Sequence, residues 1–169
     1  MTRPYNVLFL CTGNSARSIL GEALMNKLGE GRFKAWSAGS QPKGEVHPMA
    51  LSVLNGLGFD TEGMRSKSWD EFTGPDAPEF DFIFTVCDNA AGESCPVWLG
   101  HPMTGHWGIE DPAAVEGEGQ RPAFWNAFRQ MQRRIELFRS LPLETIDMMT
   151  LENRLRQIGK TDDADSAVA

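Results

Sequence analysis

The sequence predicts an α/β protein whose parallel sheet is joined by helical crossovers, and three observations predict it. Apolar runs at Tyr5 to Leu10, Phe33 to Ser37 and Phe80 to Val86 are short and rich in aromatic and aliphatic residues, as strands covered on both faces are. Helix-like segments separate these runs, so strands and helices alternate along the chain. The first run leads straight into a loop of small residues, Cys11-Thr12-Gly13-Asn14-Ser15-Ala16-Arg17-Ser18. In open sheets of this kind ligands bind beyond the carboxyl ends of the strands, where that loop and Cys87 both fall.

The elements follow in order. A first helix is expected from about Ser18 to Leu28, with Ile19, Leu20, Ala23, Leu24 and Leu28 on one stripe and Gly29 and Gly31 beyond its end. A second starts at Pro48, a good first-turn residue, and stops near Gly56 or Gly58. A short helical turn is expected around Trp69 to Phe72. The best late helix runs from about Pro122 to Leu141, because Phe124, Phe128, Met131, Ile135 and Phe138 recur at helical spacings and should pack across the sheet. Leu143 to Ile158 repeats the helical pattern after Pro142, with Met148 and Met149 read as packing residues. The five tryptophans are expected in the core or lining a cleft. One domain is expected over 1–160, and 161–169, acidic and rich in Ala, as a frayed tail. No repeat, Walker motif or G-x-G-x-x-G pattern occurs.

Composition narrows the function. With 169 residues the chain can bury a core without staples, and a net charge of −7 excludes broad binding to nucleic acid or anionic membranes. No apolar stretch approaches the roughly 20 residues that span a bilayer. The opening Met1 to Asn6 lacks the apolar core of a signal peptide, so a cytoplasmic protein is expected. The three cysteines, Cys11, Cys87 and Cys95, are too few for a disulfide scaffold; in a reducing compartment they are catalytic, redox-active or simply buried.

The loop after the first strand can hold a tetrahedral oxyanion against a sulfur. Cys11 and Arg17 stand with Thr12, Gly13, Asn14, Ser15 and Ala16 between them. The loop N–H groups and the start of the helix near Ser18 supply positive ends of dipoles. The same groups, with the Ser18 hydroxyl, are expected to stabilise a Cys11 thiolate, since a free cysteine titrates near 8.5. Arg17 offers a planar donor fork suited to two oxygens of a phosphate-like ion. Gly13 and Asn14 tolerate the left-handed backbone such a loop needs. An ordinary strand-to-helix turn with a buried cysteine is the competing reading.

Three further residues join the candidate site. Cys87 ends its strand, and seven small or polar residues lead from it to Cys95. A loop able to move lets Cys87 pair first with Cys11 and later with Cys95, although each is equally readable as a buried or bystander thiol. Asp111, rigidified by Pro112, is placed to protonate an oxygen leaving the central atom, with Glu110 as the competing acid and a simple turn aspartate as the alternative. Zinc at Cys87, Cys95, His101 and His106 is disfavoured, because structural zinc sites usually begin with two cysteines two to four residues apart. His47 and His101, each followed by proline, read as structural.

The run from Val7 through Ser18 resembles the low-molecular-weight protein tyrosine phosphatase superfamily, and more closely its arsenate reductase branch. The likeness continues through Ser37-Ala38-Gly39-Ser40, His47-Pro48-Met49-Ala50, Thr85 to Ala90, Cys95-Pro96-Val97-Trp98 and Trp107 to Ala113, spanning roughly residues 5 to 141. It implies a three-layer fold with a four-stranded parallel sheet flanked by helices, the fourth strand being a short one near Met103 to His106. Phosphatases of this superfamily typically follow the Asp-Pro with aromatic residues that hold a phosphotyrosine ring, whereas Ala113-Ala114 stand here. The resemblance further implies that Cys11 attacks arsenate held by Arg17 and the loop, and that Asp111 protonates the departing oxygen. Cys87 then displaces arsenite as a Cys11–Cys87 disulfide forms, and Cys95 draws that disulfide to a loop where an external thiol reduces it. Thioredoxin is the first expected reductant, glutaredoxin with a small thiol the second, and no bound cofactor or metal is implied. A phosphomonoester hydrolase and a non-catalytic oxyanion or redox sensor are the two other readings of the same loop.

Overall fold

The computed structural model describes residues 3–87 and 102–160. Four strands, β1 (Tyr5–Leu10), β2 (Phe33–Ala38), β3 (Phe82–Thr85) and β4 (Met103–His106), form one sheet in the order β2-β1-β3-β4. Every pairing is parallel. Leu10 lies opposite Ala38 on one side and Thr85 on the other, and Thr85 lies opposite His106. The residues that follow, Cys11, Gly39, Val86 and Trp107, therefore leave the sheet along one edge.

Strand β1 is central, and its side chains from Val7 to Leu10 are all buried. Alternation divides them between two cores. Val7 and Phe9 join the larger one, with Ile19, Leu24, Phe84, Phe128, Ile135 and Phe138; Leu8 and Leu10 join Ala38, Phe72, Phe80 and Ile83 on the other face. The larger core is covered by helices α1 (Arg17–Leu28), α2 (Pro48–Gly56), α3 (Gln120–Arg139) and α4 (Met148–Gly159). Among the described residues the smaller core is closed by the 3-10 turn Trp69–Phe72, whose first N–H groups Ser68 caps. No helix of the described residues is long and apolar enough to cross a membrane.

Several boundaries differ from the sequence-based expectation for local reasons. Helix α3 starts at Gln120, with Pro122 inside its first turn, where a missing N–H costs nothing. Helix α4 starts only at Met148, because the Pro142 carbonyl accepts from both Thr145 and Ile146 N–H groups in a turn, and Asp147 then caps Thr150. This start overturns the packing role expected of Met148 and Met149: both are 75% exposed, and the buried stripe is Leu151, Leu155 and Ile158. Trp107 is fully buried, stacked on Phe84 at 3.7 Å between ring centroids, and donates its indole N–H to the Leu155 carbonyl in α4. Trp36 and Trp69 pack at the rim of the smaller core and Trp125 against the larger one. Trp98, Cys95, His101 and the expected tail lie outside the described residues.

Candidate active site

The loop from Cys11 to Ser18 is fastened from outside through its carbonyls. Those of Thr12, Gly13 and Ser15 accept from the backbone N–H groups of Gln41 (2.9 Å), Lys43 (3.0 Å) and His47 (2.9 Å). The Ser66 hydroxyl adds a second bond to the Gly13 carbonyl at 3.1 Å. Because a trans peptide points its N–H opposite to its C=O, the N–H groups of Gly13, Asn14 and Ala16 turn into the loop. Asn14 makes this path possible with a left-handed φ of 43°. Its buried amide donates to the Ser18 hydroxyl at 2.8 Å and accepts from the Lys67 N–H at 2.9 Å. Gly39 allows the loop to lie so close, since a Cβ there would overlap the Cys11 and Thr12 carbonyl oxygens. Helix α1 begins at Arg17 with no side-chain cap, so its first-turn N–H groups are available to an anion.

Beneath the loop lies a buried polar cluster that the sequence did not suggest. The Lys67 ammonium donates to the Arg65 carbonyl at 3.0 Å and stands 3.7 Å from the Glu22 carboxylate, which accepts from the Ser37 hydroxyl at 2.6 Å. Burial pushes the Lys67 pKa down, and the Glu22 charge opposes that shift.

The two described cysteines, Cys11 and Cys87, meet here, and both are buried. Cys87 Sγ accepts from the Thr12 N–H at 3.3 Å and lies 3.6 Å from the Thr12 hydroxyl. Cys11 is hydrogen-bonded to Cys87, and this contact, followed by burial, pushes its thiol well above the ordinary range. The Arg17 charge and the Gly13 N–H pull the other way without prevailing. The donors expected to stabilise a Cys11 thiolate are present, and the contact with the neighbouring sulfur opposes them, favouring the protonated thiol. Since a raised acid stays protonated to higher pH, removing Cys87 should reverse the effect. Cys87→Ala is expected to lower the pH midpoint for alkylation of Cys11 by iodoacetamide and to speed that reaction at neutral pH. An unchanged midpoint would mean that burial alone sets the thiol.

Arg17 reaches across to the loop after β4. Its Nη1 donates to the Ile109 carbonyl at 2.9 Å, and its Nη2 stands 3.8 Å from Asp111 Oδ2. Its Nε is buried without a hydrogen-bond partner. An unpartnered buried donor costs about 1–3 kcal/mol, and an oxyanion oxygen would satisfy it. The edge left for an anion is therefore Nε with Nη2, because Nη1 is already committed. Asp111 holds its turn through Oδ1, which accepts from the Ala113 N–H at 3.0 Å, and its side chain is 41% exposed. A cavity of about 640 Å³ opens here, lined by Arg17, Cys87, His106, Glu110, Asp111 and Gly159 among others. Of the two described cysteines, Cys87 lines this cavity.

The structure thus brings together Thr12, Asn14, Arg17, Ser18, Cys11, Cys87 and Asp111, with Gly13, Ser15 and Ala16 in the loop between them. Cys95 lies outside the described residues. Of the four residues weighed for zinc, Cys87 and His106 line the cavity, and no group of three or more candidate ligands occurs among the described residues. His106 Nδ1 lies 2.8 Å from the Thr85 hydroxyl. His47 is structural: its Nδ1 accepts from the Met49 N–H at 3.0 Å and its ring packs on Phe124.

Comparison with known proteins adds to this geometry. Residues 6–146 match the family described as low molecular weight phosphotyrosine protein phosphatase. An arsenate reductase of Bacillus licheniformis is 34% identical over 135 residues, which is 78% of this chain and 93% of that protein. The solved structure of an arsenate reductase from Archaeoglobus fulgidus matches with a TM-score of 0.59 at 29% identity, covering 77% of this chain and 98% of that one. A thioredoxin-dependent arsenate reductase of Corynebacterium glutamicum matches in fold, with a TM-score of 0.62 at 24% identity, over 85% of this chain and 65% of its own length. Helix α4 lies beyond the residues that the family matches.

Proposed function

The chain belongs to the low molecular weight phosphotyrosine protein phosphatase family, and from that membership we propose that it is an arsenate reductase, an enzyme that turns arsenate into arsenite at the expense of thiols. The observation that carries this reading within the family is the second sulfur: Cys87 Sγ sits against the loop, accepting from the N–H of Thr12, the residue after Cys11, at 3.3 Å. Hydrolysis of a phosphate ester needs a nucleophile, an oxyanion cradle and an acid, whereas reduction of arsenate also needs a second thiol to complete a disulfide. Ala113 and Ala114 in the 3-10 turn after Asp111 also supply no aromatic wall for a tyrosine ring.

Arsenate enters the cradle with its oxygens on the inward N–H groups and on Nε and Nη2 of Arg17. Asp111 takes the Cys11 proton and passes it to an arsenate oxygen; the Cys11 sulfur attacks arsenic, the As–O bond breaks and the oxygen leaves as water. The Cys87 thiol gives its proton to an arsenic-bound oxygen and its sulfur then attacks the Cys11 sulfur. The S–S bond forms as the S–As bond breaks, its electron pair stays on arsenic, and arsenic leaves reduced by two electrons as arsenite. Cys95 next attacks Cys87, its proton passing to the Cys11 sulfur, which leaves as a thiol, and a Cys87–Cys95 disulfide remains for an external thiol. The reductant we assign is thioredoxin, with glutaredoxin and a small thiol as the alternative, and the setting is a reducing cytoplasm.

The test is arsenite release from arsenate with NADPH, thioredoxin reductase and thioredoxin, set beside hydrolysis of a phosphotyrosine peptide. Wild type should turn over arsenate repeatedly, whereas Cys87→Ser and Cys95→Ser should stop after at most one turnover. Full multiple turnover in both variants would sink the relay. Efficient peptide hydrolysis that survives Cys87→Ser, without arsenite release, would return the chain to the phosphatases.

A further inference from the structure

The apolar stripe of α3 contains one charged residue. Arg134 falls on the same face as Met131, Ile135 and Phe138 and is only 4% exposed. A buried guanidinium costs several kcal/mol in lost hydration unless strong hydrogen bonds offset it. Here its Nη1 donates to the Trp107 carbonyl at 2.8 Å and to the Gly108 carbonyl at 2.9 Å. These carbonyls belong to the first two residues after β4, on the path to Ile109, Glu110 and Asp111.

That segment is held on its opposite side by β3 and the residues after it. Trp107 N–H donates to the Thr85 carbonyl at 2.7 Å, and Ile109 N–H to the Val86 carbonyl at 3.0 Å. The two sets of bonds require each other, because the Gly108 carbonyl and the Ile109 N–H belong to one trans peptide and point in opposite directions. The next carbonyl, that of Ile109, then meets Nη1 of Arg17. Two arginines thus grip successive carbonyls: Arg134 from the core and Arg17 from the cradle.

We propose that Arg134 is the positioning residue for the acid, fixing the Trp107 to Asp111 segment so that the Asp111 carboxylate stays within reach of Arg17 and of the anion it holds. This inference rests on Asp111 acting as the proton donor. Arg134 touches neither arsenate nor sulfur, and its effect runs through the backbone of three residues. Misplacing a proton donor slows the chemical step more than it weakens binding of the anion, which the cradle holds independently.

The test is a double-mutant cycle read by rapid-quench single turnover, so that the external reductant does not limit the rate. Arg134→Met keeps the length of the side chain and removes its donors. It should lower the rate of arsenite formation at saturating arsenate by about tenfold and leave half-saturation by arsenate nearly unchanged. In an Asp111→Asn background the same change should cost nothing further. Arg134→Lys restores one donor and should recover part of the rate; if Arg134→Met does not fold, Arg134→Lys in both backgrounds carries the test. A loss of equal size with and without Asp111, a rise in half-saturation alone, or wild-type rates in the folded variants would overturn the proposal. An Asp111→Asn enzyme as fast as wild type would instead overturn the assignment of the acid, and the two failures are thereby distinguished.

Discussion

Cys11→Ser is expected to abolish arsenite formation, by about four orders of magnitude or more, while leaving the fold and the anion site in place. A serine hydroxyl fits where the thiol sits, so a thermal unfolding midpoint near that of wild type checks that the protein is intact. The loss has two causes. The hydroxyl is a far weaker nucleophile, and any ester it formed with arsenate would present oxygen rather than sulfur to Cys87, so no disulfide could form and no electrons could reach arsenic. Arsenate or phosphate should still protect the variant against thermal unfolding, because Arg17 and the inward N–H groups remain. Arsenite production above background by Cys11→Ser would move the nucleophile elsewhere.

Arg17→Lys is the second large effect, with kcat/KM for arsenate expected to fall by about 10²–10³. A lysine keeps the charge and loses the planar fork. In this site the fork does three jobs at once: Nη1 holds the Ile109 carbonyl, Nη2 faces Asp111, and the buried Nε lies unpartnered. An ammonium cannot meet all three directions, so the variant should lose anion affinity and acid placement together. Both kcat and KM for arsenate should worsen in steady-state assays. A lysine variant within a few-fold of wild type would show that charge alone suffices.

Much of this site was legible because its chemistry is concentrated in one stretch of sequence. Residues 11–18 announce a strand end, a loop of small residues and a helix start, and Asn14 takes the left-handed conformation expected there. Gly13, expected to share it, does not. The short strand Met103–His106 fell where the family resemblance put it. Less legible were features that depend on what the fold brings together. The rise of the Cys11 thiol comes from a sulfur 76 positions away, and no local pattern reports it. The Glu22, Ser37 and Lys67 cluster draws on three separate segments. Arg134 was visible in principle, since a charge on an apolar helical stripe is a signal, but only the structure names the carbonyls it holds. The exposure of Met148 and Met149 turned on a helix start set by Pro142 and Asp147, which hydrophobic spacing alone does not register.

The sheet order has a consequence for how the molecule comes into being. Asp111, on the far side of β4, is synthesised a hundred residues after Cys11. Strand β1 cannot pair with β3, nor β3 with β4, until the intervening crossovers exist, and contacts so distant along the chain form slowly. The cradle's outer fastenings, at residues 39–47 and 66–67, are complete much sooner. The segments that fasten the loop from outside are therefore made well before those that carry Cys87, Ile109 and Asp111, so the assembled site is a late product of folding.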